Sequence, residues 1–237
     1  MKKKFDVSIL QPGYIPWLGF FDLLKLADVF VIYDDVQFDR RGWRNRNRIL
    51  SPIGKPHWLT IPVEKKGNFK QLNKDVKIVD ENWAKNHLET IRHFYRKAPH
   101  FKSIFPDLDE AFKSKTLSLI DVCLNIIRSL APILAIDFEI IHSSEIDSNV
   151  VGKTERLVEI CNKLGARRYI SPDVSASYIN PKLFNNERIE LIYQNYPHPK
   201  YKQFDNQFVS HLSVVDALMF CGRKASQFVG ISHTKIH

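Results

Sequence analysis

An apolar run ends at Ser8-Ile9-Leu10, and Gln11-Pro12-Gly13 breaks it. From Trp17 to Ala27 the spacing changes to that of a helix, with Leu18, Phe21, Leu24 and Leu26 turned inward. Val29–Tyr33 is short and rich in branched and aromatic residues, the mark of a strand. Strand, tight turn, helix, strand is the first unit of a parallel α/β sheet. The pattern resumes later, with strands expected at 138–141, 168–170 and 189–193. A clean amphipathic helix is expected over Lys153–Leu164, closed by Gly165, and a short one over Ser177–Phe184. A last helix is expected over Leu212–Cys221, closed by Gly222.

Between the two halves the periodicity is different. Arg48–Leu50 and Trp58–Val63 read as strands around the turn residues Ser51-Pro52-Ile53-Gly54, and Val76–Val79 as a further short strand. Lys65-Lys66-Gly67-Asn68 reads as a polar loop. Asp80 is placed to cap a helix carrying Trp83, His87, Ile91 and Tyr95 on one stripe, ended by Ala98-Pro99. Phe101–Phe112 reads as a short helix or turn-rich connector, and Lys115–Leu130 as a largely buried helix. The expected fold is α/β: a mostly parallel sheet with flanking helices and a helical insertion at about 80–132. It forms one domain over 1–222, followed by a poorly ordered tail over 223–237.

Composition narrows the function. With 237 residues and 44% hydrophobic content, the chain can bury a sizeable core. The formal charge of +9 favours an anionic partner. Cys123, Cys161 and Cys221 each fall in apolar helical patterns without CxxC spacing, which suits buried thiols in a reducing cytosol. No stretch approaches the roughly 20 apolar residues of a membrane span. Asp6, Gln11 and Pro12 interrupt the N-terminal apolar stretch too early for a secretory signal, so the expected location is cytoplasmic.

Candidate chemistry gathers where a parallel sheet places ligands, beyond the carboxyl ends of its strands. Gln11 and Tyr14 follow the first strand; Asp34, Asp35 and Gln37 follow the second. Arg40, Arg41, Arg44, Arg46 and Arg48 come next, interleaved with Trp43, Asn45 and Asn47. Guanidinium groups bind phosphate bidentately, and amide and indole groups add contacts. If the segment is extended, Arg44, Arg46 and Arg48 share one face, and Asn45 and Asn47 take the other. Asp34-Asp35 is read three ways: as a Mg²⁺ site, as partners for the arginines, or as caps for a neighbouring turn. A lone arginine cluster without a recognition helix or aromatic RNA motif argues against nucleic acid.

The second candidate region is Pro197-His198-Pro199 with Tyr201 and Gln203. A loop histidine with an ordinary pKa near ~6.5 can act as a general base. His87 reads as a core histidine, and His57 has no evident partner. A nucleotidyltransferase signature has the outline of the first turn, but here the tetrapeptide is Trp17-Leu18-Gly19-Phe20 and both histidines of HxGH are missing. The outline points to a nucleotide-binding fold by analogy only.

Taken together, LQPGYIPWLGFFDLL, ADVFVIYDDVQF, WRNRNRI, WLTIPV, HPKYKQ and LSVVDALMFCG resemble the WbqC-like family over nearly the whole length. That resemblance implies a role in bacterial O-antigen or other surface-sugar synthesis. The function expected from it is a transferase that N-acylates or aminoacylates a nucleotide-linked amino sugar. Its donor is an acyl thioester, carried by CoA or by an acidic acyl-carrier protein. On this reading His198 is the base, with Asp34 or Asp35 as the alternative, and Tyr201, Gln203 and Gln11 are donors. Gln11, Tyr14, Gln37, Asn45, Asn47 and the arginines Arg44, Arg46 and Arg48 bind the substrate. The early and late regions must then meet in one cleft. The rival readings are a non-catalytic sugar-nucleotide-binding or scaffold protein and, third, nucleotidyl transfer.

Overall fold

The computed structural model describes residues 4–64, 70–148, 150–204 and 207–236, with side chains through 232; the expected polar loop at Lys65–Asn68 lies outside them. The first unit forms as its pattern dictates. Strand β1 (Phe5–Leu10) leads through helix α1 (Leu18–Leu26) to β2 (Val29–Ile32). The two strands pair in parallel from Val7 opposite Val29 to Leu10 opposite Ile32. Their alternation splits the core: Val7, Ile9, Val29 and Val31 pack to one side, while Phe30 and Ile32 pack to the other.

An antiparallel hairpin follows, β3 (Arg46–Leu50) and β4 (Pro56–Thr60), and it stands apart from the main sheet. The insertion consists of α2 (Trp83–Tyr95), α3 (Phe101–Ala111) and α4 (Leu119–Leu130). The α/β alternation then returns with β5 (Glu139–His142), α5 (Lys153–Lys163), β6 (Ala166–Pro172), α6 (Pro181–Asn186), β7 (Glu190–Asn195) and α7 (Val214–Cys221). Strand β8 (His233–Ile236) closes the described chain. The sheet order is β5-β2-β1-β6-β7-β8, parallel except for β8, which runs antiparallel to β7. Helices α1, α4 and α7 contribute to the core on one face, and α5 and α6 to the core on the other. All five parallel strands therefore end at one edge. Among the described residues no helix is long and apolar enough to cross a membrane.

Three local expectations are corrected, and the segment read as a short helix or a connector resolves to the helix. Residues 76–79 make isolated bridges, Lys77 with Ser118 and Val63 with Ile78, rather than a strand, because no neighbour offers a continuous ladder. Residues 101–111 are fully helical despite Pro106, since Ile104, Phe105, Leu108 and Ala111 bury a continuous face. The next helix starts at Leu119 rather than Lys115, where the Ser118 hydroxyl accepts from the Asp121 amide and caps it. Asp80 is not the cap of α2; its carboxylate accepts from the Asn82 amide, two residues into the turn.

The largest correction is the tail. Gly222–Phe228 forms a 3₁₀ helix and His233–Ile236 adds a strand to β7. Buried Asp22 on α1 holds the segment, accepting from the Ile231 amide at 2.8 Å, from the Ser232 hydroxyl and from Gln194 Nε2 at 2.6 Å. Asp22→Ala is therefore expected to release residues 229–236. Hydrogen-exchange mass spectrometry would show faster exchange there, with β1 and β6 still protected. Unchanged exchange in the segment would show that the strand pairing alone holds it.

Candidate functional site

At the carboxyl end of β1 the chain turns through Gln11 and Pro12, and Arg44 reaches back to this turn. Its Nη1 donates to the Gln11 carbonyl at 2.9 Å and the Pro12 carbonyl at 3.1 Å. The Tyr14 amide donates to the carbonyls of Trp43 and Arg44, which pins the segment in place. Arg44 forms no salt bridge among the described residues, and its Nε is buried without a partner. Burial pulls the guanidinium below its usual pKa range, opposed at a distance by Asp39. A partly buried arginine satisfied only by carbonyls keeps its full charge for an incoming anion.

Beside it, Asn73 donates to Gln11 Oε1 and to the Tyr33 carbonyl, both at 3.3 Å, and the Lys74 amide donates to the Asp34 carbonyl at 3.0 Å. These bonds tie the end of β1 to the end of β2. Burial and the neighbouring Asp35 raise the Tyr33 pKa to about 12, so its hydroxyl keeps its proton at neutral pH.

Asp34 and Asp35 follow β2 but serve different partners. Asp34 Oδ1 accepts from the Ser144 amide at 2.9 Å and, at the same distance, shares the single Ser143 hydroxyl proton with Asp35. Its Oδ2 accepts from the Ser144 hydroxyl at 2.7 Å and faces His142 Nδ1 at 3.0 Å. Burial alone would raise its pKa, but the bonds from Ser144, His142 and Ser143 outweigh burial and lower it. Asp35 binds Arg156 of α5 at 2.9 Å and the Ser143 hydroxyl at 2.5 Å. Of the three sequence readings the acids take two, a cap and an arginine pair, though the arginine is Arg156 rather than a member of the cluster. Among the described residues no group of three or more His, Cys, Asp and Glu is arranged to hold a metal ion.

The arginine row breaks where the strand begins. Arg46 and Arg48 lie on β3 against Trp58 and Trp43, with the Arg46 guanidinium 4.6 Å from the Trp58 ring centre and that of Arg48 5.2 Å from Trp43. Both indoles are more than two-fifths exposed. Arg44 precedes the strand and turns to the β1 end instead. Asn45 and Asn47 are buried and hold backbone: Asn45 bonds the Ile61 carbonyl, and Asn47 the carbonyls of Tyr14 and Ile15. Tyr14 is fully buried, its hydroxyl 2.7 Å from His87 Nδ1, so both belong to the core. Gln37 is exposed and bridges to Leu72.

The late region meets the early one, but at Trp17 and Arg48 rather than at Asp34. His198 stacks on Trp17 with ring centres 6.0 Å apart, room that Gly19 leaves because a Cβ there would lie 2.3 Å from the indole. His198 Nδ1 donates to the Pro199 carbonyl and Nε2 accepts from the His211 amide, both at 3.0 Å, so both ring nitrogens are engaged. Tyr201 and Gln203 spend their donors on Asp216 of α7, at 2.9 and 2.7 Å, and Tyr95 adds a third bond at 2.7 Å. His198 and Tyr196 lie with the α1 face of the sheet, whereas Asp35 engages α5 on the opposite face. No described contact joins His198 to Asp34 or Asp35.

A family model described as the WbqC-like protein family matches residues 11–228. The chain belongs to the WbqC-like protein family. It is 34% identical over 233 residues to "Uncharacterized protein Rv1507c" of Mycobacterium tuberculosis, covering 97% of this chain and 98% of that protein. No solved structure matches.

In this WbqC-like chain the matched span contains every group at the carboxyl edge, from Gln11 through His142 and Arg156 to Asp216. Sequence reading named Arg44, Asp34 and Asp35 but passed over His142, Arg156 and Asp216. A usable signal existed for His142: it ends a short apolar strand and is followed by Ser143-Ser144, at the edge where ligands were expected. Arg156 and Asp216 gave none, because each sits on a helix whose pattern was already explained by its apolar face.

Proposed function

We propose that this WbqC-like protein binds a nucleotide-linked amino sugar at the carboxyl edge of its sheet and transfers an acyl or aminoacyl group from a thioester to the sugar amine. Arg44 carries the reading: a partly buried guanidinium without a carboxylate, at the end of a parallel strand, suits a diphosphate. The family resemblance supplies the setting, bacterial surface-polysaccharide synthesis. The charge of +9 suits an acidic acyl-carrier protein as the donor's bearer.

A second reading, a sugar-nucleotide-binding protein without chemistry, is favoured by one observation: His198, Tyr201 and Gln203 are all committed to bonds within the protein. Calorimetry with UDP as probe tests the binding that both readings share. The unaltered protein is expected to bind, and Arg44→Met to lose at least about tenfold in affinity, the ~1.4 kcal/mol or more of a charge-assisted hydrogen bond. Equal affinity in the two proteins would remove Arg44 from the site. Mass spectrometry of the protein with UDP-linked amino sugars and acetyl-CoA separates the readings, since only the transferase yields the amide.

A further inference from the structure

We propose that His142 is the catalytic base of this site and Asp34 its positioning residue, an inference that rests on the acyl-transfer reading. The two lie 108 positions apart, at the ends of the neighbouring strands β5 and β2, with His142 Nδ1 3.0 Å from Asp34 Oδ2. Asp34 has little freedom to move. Its Oδ1 takes the Ser144 amide and shares the Ser143 hydroxyl with Asp35, and its Oδ2 takes the Ser144 hydroxyl. Its own amide faces the Ser143 hydroxyl at 3.1 Å. A carboxylate held ionised only accepts, so Nδ1 of His142 must carry a proton. The neutral ring then has its lone pair on Nε2, which has no hydrogen-bond partner among the described residues. The side chain is 26% exposed, enough for a substrate to reach.

A carboxylate that fixes the tautomer of an imidazole whose other nitrogen is open has the arrangement of a general base. None of the other candidates has it: both nitrogens of His198 are engaged, and each oxygen of Asp34 and of Asp35 already accepts a bond. Arg44 stands at the end of β1, with β2 between it and His142. Two strand spacings, about 10 Å, separate the anion contact from the base. In the transfer the sugar amine attacks the thioester carbonyl. The nitrogen–carbon bond forms as the carbon–sulfur bond breaks. His142 Nε2 takes the amine proton and returns it to the departing thiolate, so amide and thiol leave with the base restored.

Two-dimensional ¹H–¹⁵N spectra of histidine-labelled protein read the tautomer directly, without substrate. The Nδ1–H form is expected for His142. Asp34→Asn should reverse it, because Oδ1 faces the Ser144 amide and must stay an oxygen, which puts the new amide NH₂ opposite Nδ1. An Nε2–H form in the unaltered protein, or no reversal in Asp34→Asn, overturns the proposal.

Turnover of UDP-linked amino sugars with acetyl-CoA is expected to fall at least a hundredfold in His142→Gln and Asp34→Asn. UDP affinity should stay within about twofold. Turnover within tenfold of normal in either variant overturns the dyad alone. No turnover by the unaltered protein sinks the acyl-transfer reading, and the role of the dyad with it.

Discussion

Asp216→Ala is expected to destabilise the protein by about 2–4 kcal/mol at pH 5. Asp216 is fully buried on α7, and its carboxylate is the acceptor on which Tyr95, Tyr201 and Gln203 converge. The donors come from two parts of the chain. Tyr95 ends α2 and in turn accepts from the Leu50 amide of β3; Tyr201 and Gln203 belong to the late loop. Gln203 also closes that loop on itself, exchanging two bonds with the Val209 backbone. Alanine leaves two hydroxyls and an amide short of an acceptor in a fully buried site. Asp216→Asn keeps one acceptor oxygen and should cost distinctly less. Urea unfolding of both variants measures the difference. An alanine variant within about 0.5 kcal/mol of the parent would show that the loop repacks and that the knot contributes little to stability.

Between pH 4 and 6 the stability of the parent should change little on account of two buried groups, because Asp216 and His87 act in opposite directions. Burial raises the Asp216 pKa from 3.8 to about 6, only partly offset by the bonds from Tyr95, Gln203 and Tyr201. In that window the folded protein holds a proton that the unfolded chain has released. The contribution is therefore full below the unfolded value and is lost as pH rises through about 6. For His87 the sign is reversed. Burial lowers its pKa from 6.5 to about 4, against a hydrogen bond to the Thr60 backbone, so the unfolded chain holds the extra proton. Its contribution is lost as pH falls from 6.5 toward 4. Each slope is at most about 1.4 kcal/mol per pH unit. Asp216→Asn should leave the His87 slope, with stability rising from pH 4 to 6.5. His87→Gln should leave the Asp216 slope, with stability falling from pH 4 to 6. Urea titrations at half-unit intervals test this, and slopes of the same sign in the two variants would refute it.

The sequence by itself determined the parallel sheet. Apolar alternation in Phe5–Leu10 and Val29–Ile32, with an amphipathic helix between them, leaves one way for the strands to pair, since a helical crossover returns the chain in the same direction. The carboxyl edge of the sheet was legible for the same reason, and with it the places of Gln11 and Asp34 just beyond two strand ends. Tyr14, Asn45 and Asn47 were misplaced as ligand contacts because nothing local separates a polar group that holds backbone from one that faces solvent. The three-dimensional fold made that distinction, burying Asn45 and Asn47 against the carbonyls of Ile61, Tyr14 and Ile15 and the Tyr14 hydroxyl against His87. The tail was misjudged similarly, since its anchor, Asp22, lies on α1, about 200 positions earlier. Only the tertiary structure could decide which histidine has a free nitrogen. His198 and His142 are equally plausible as residue types. The His211 amide engages the first, while Asp34 orients the second across two strands that are adjacent in space and remote in sequence.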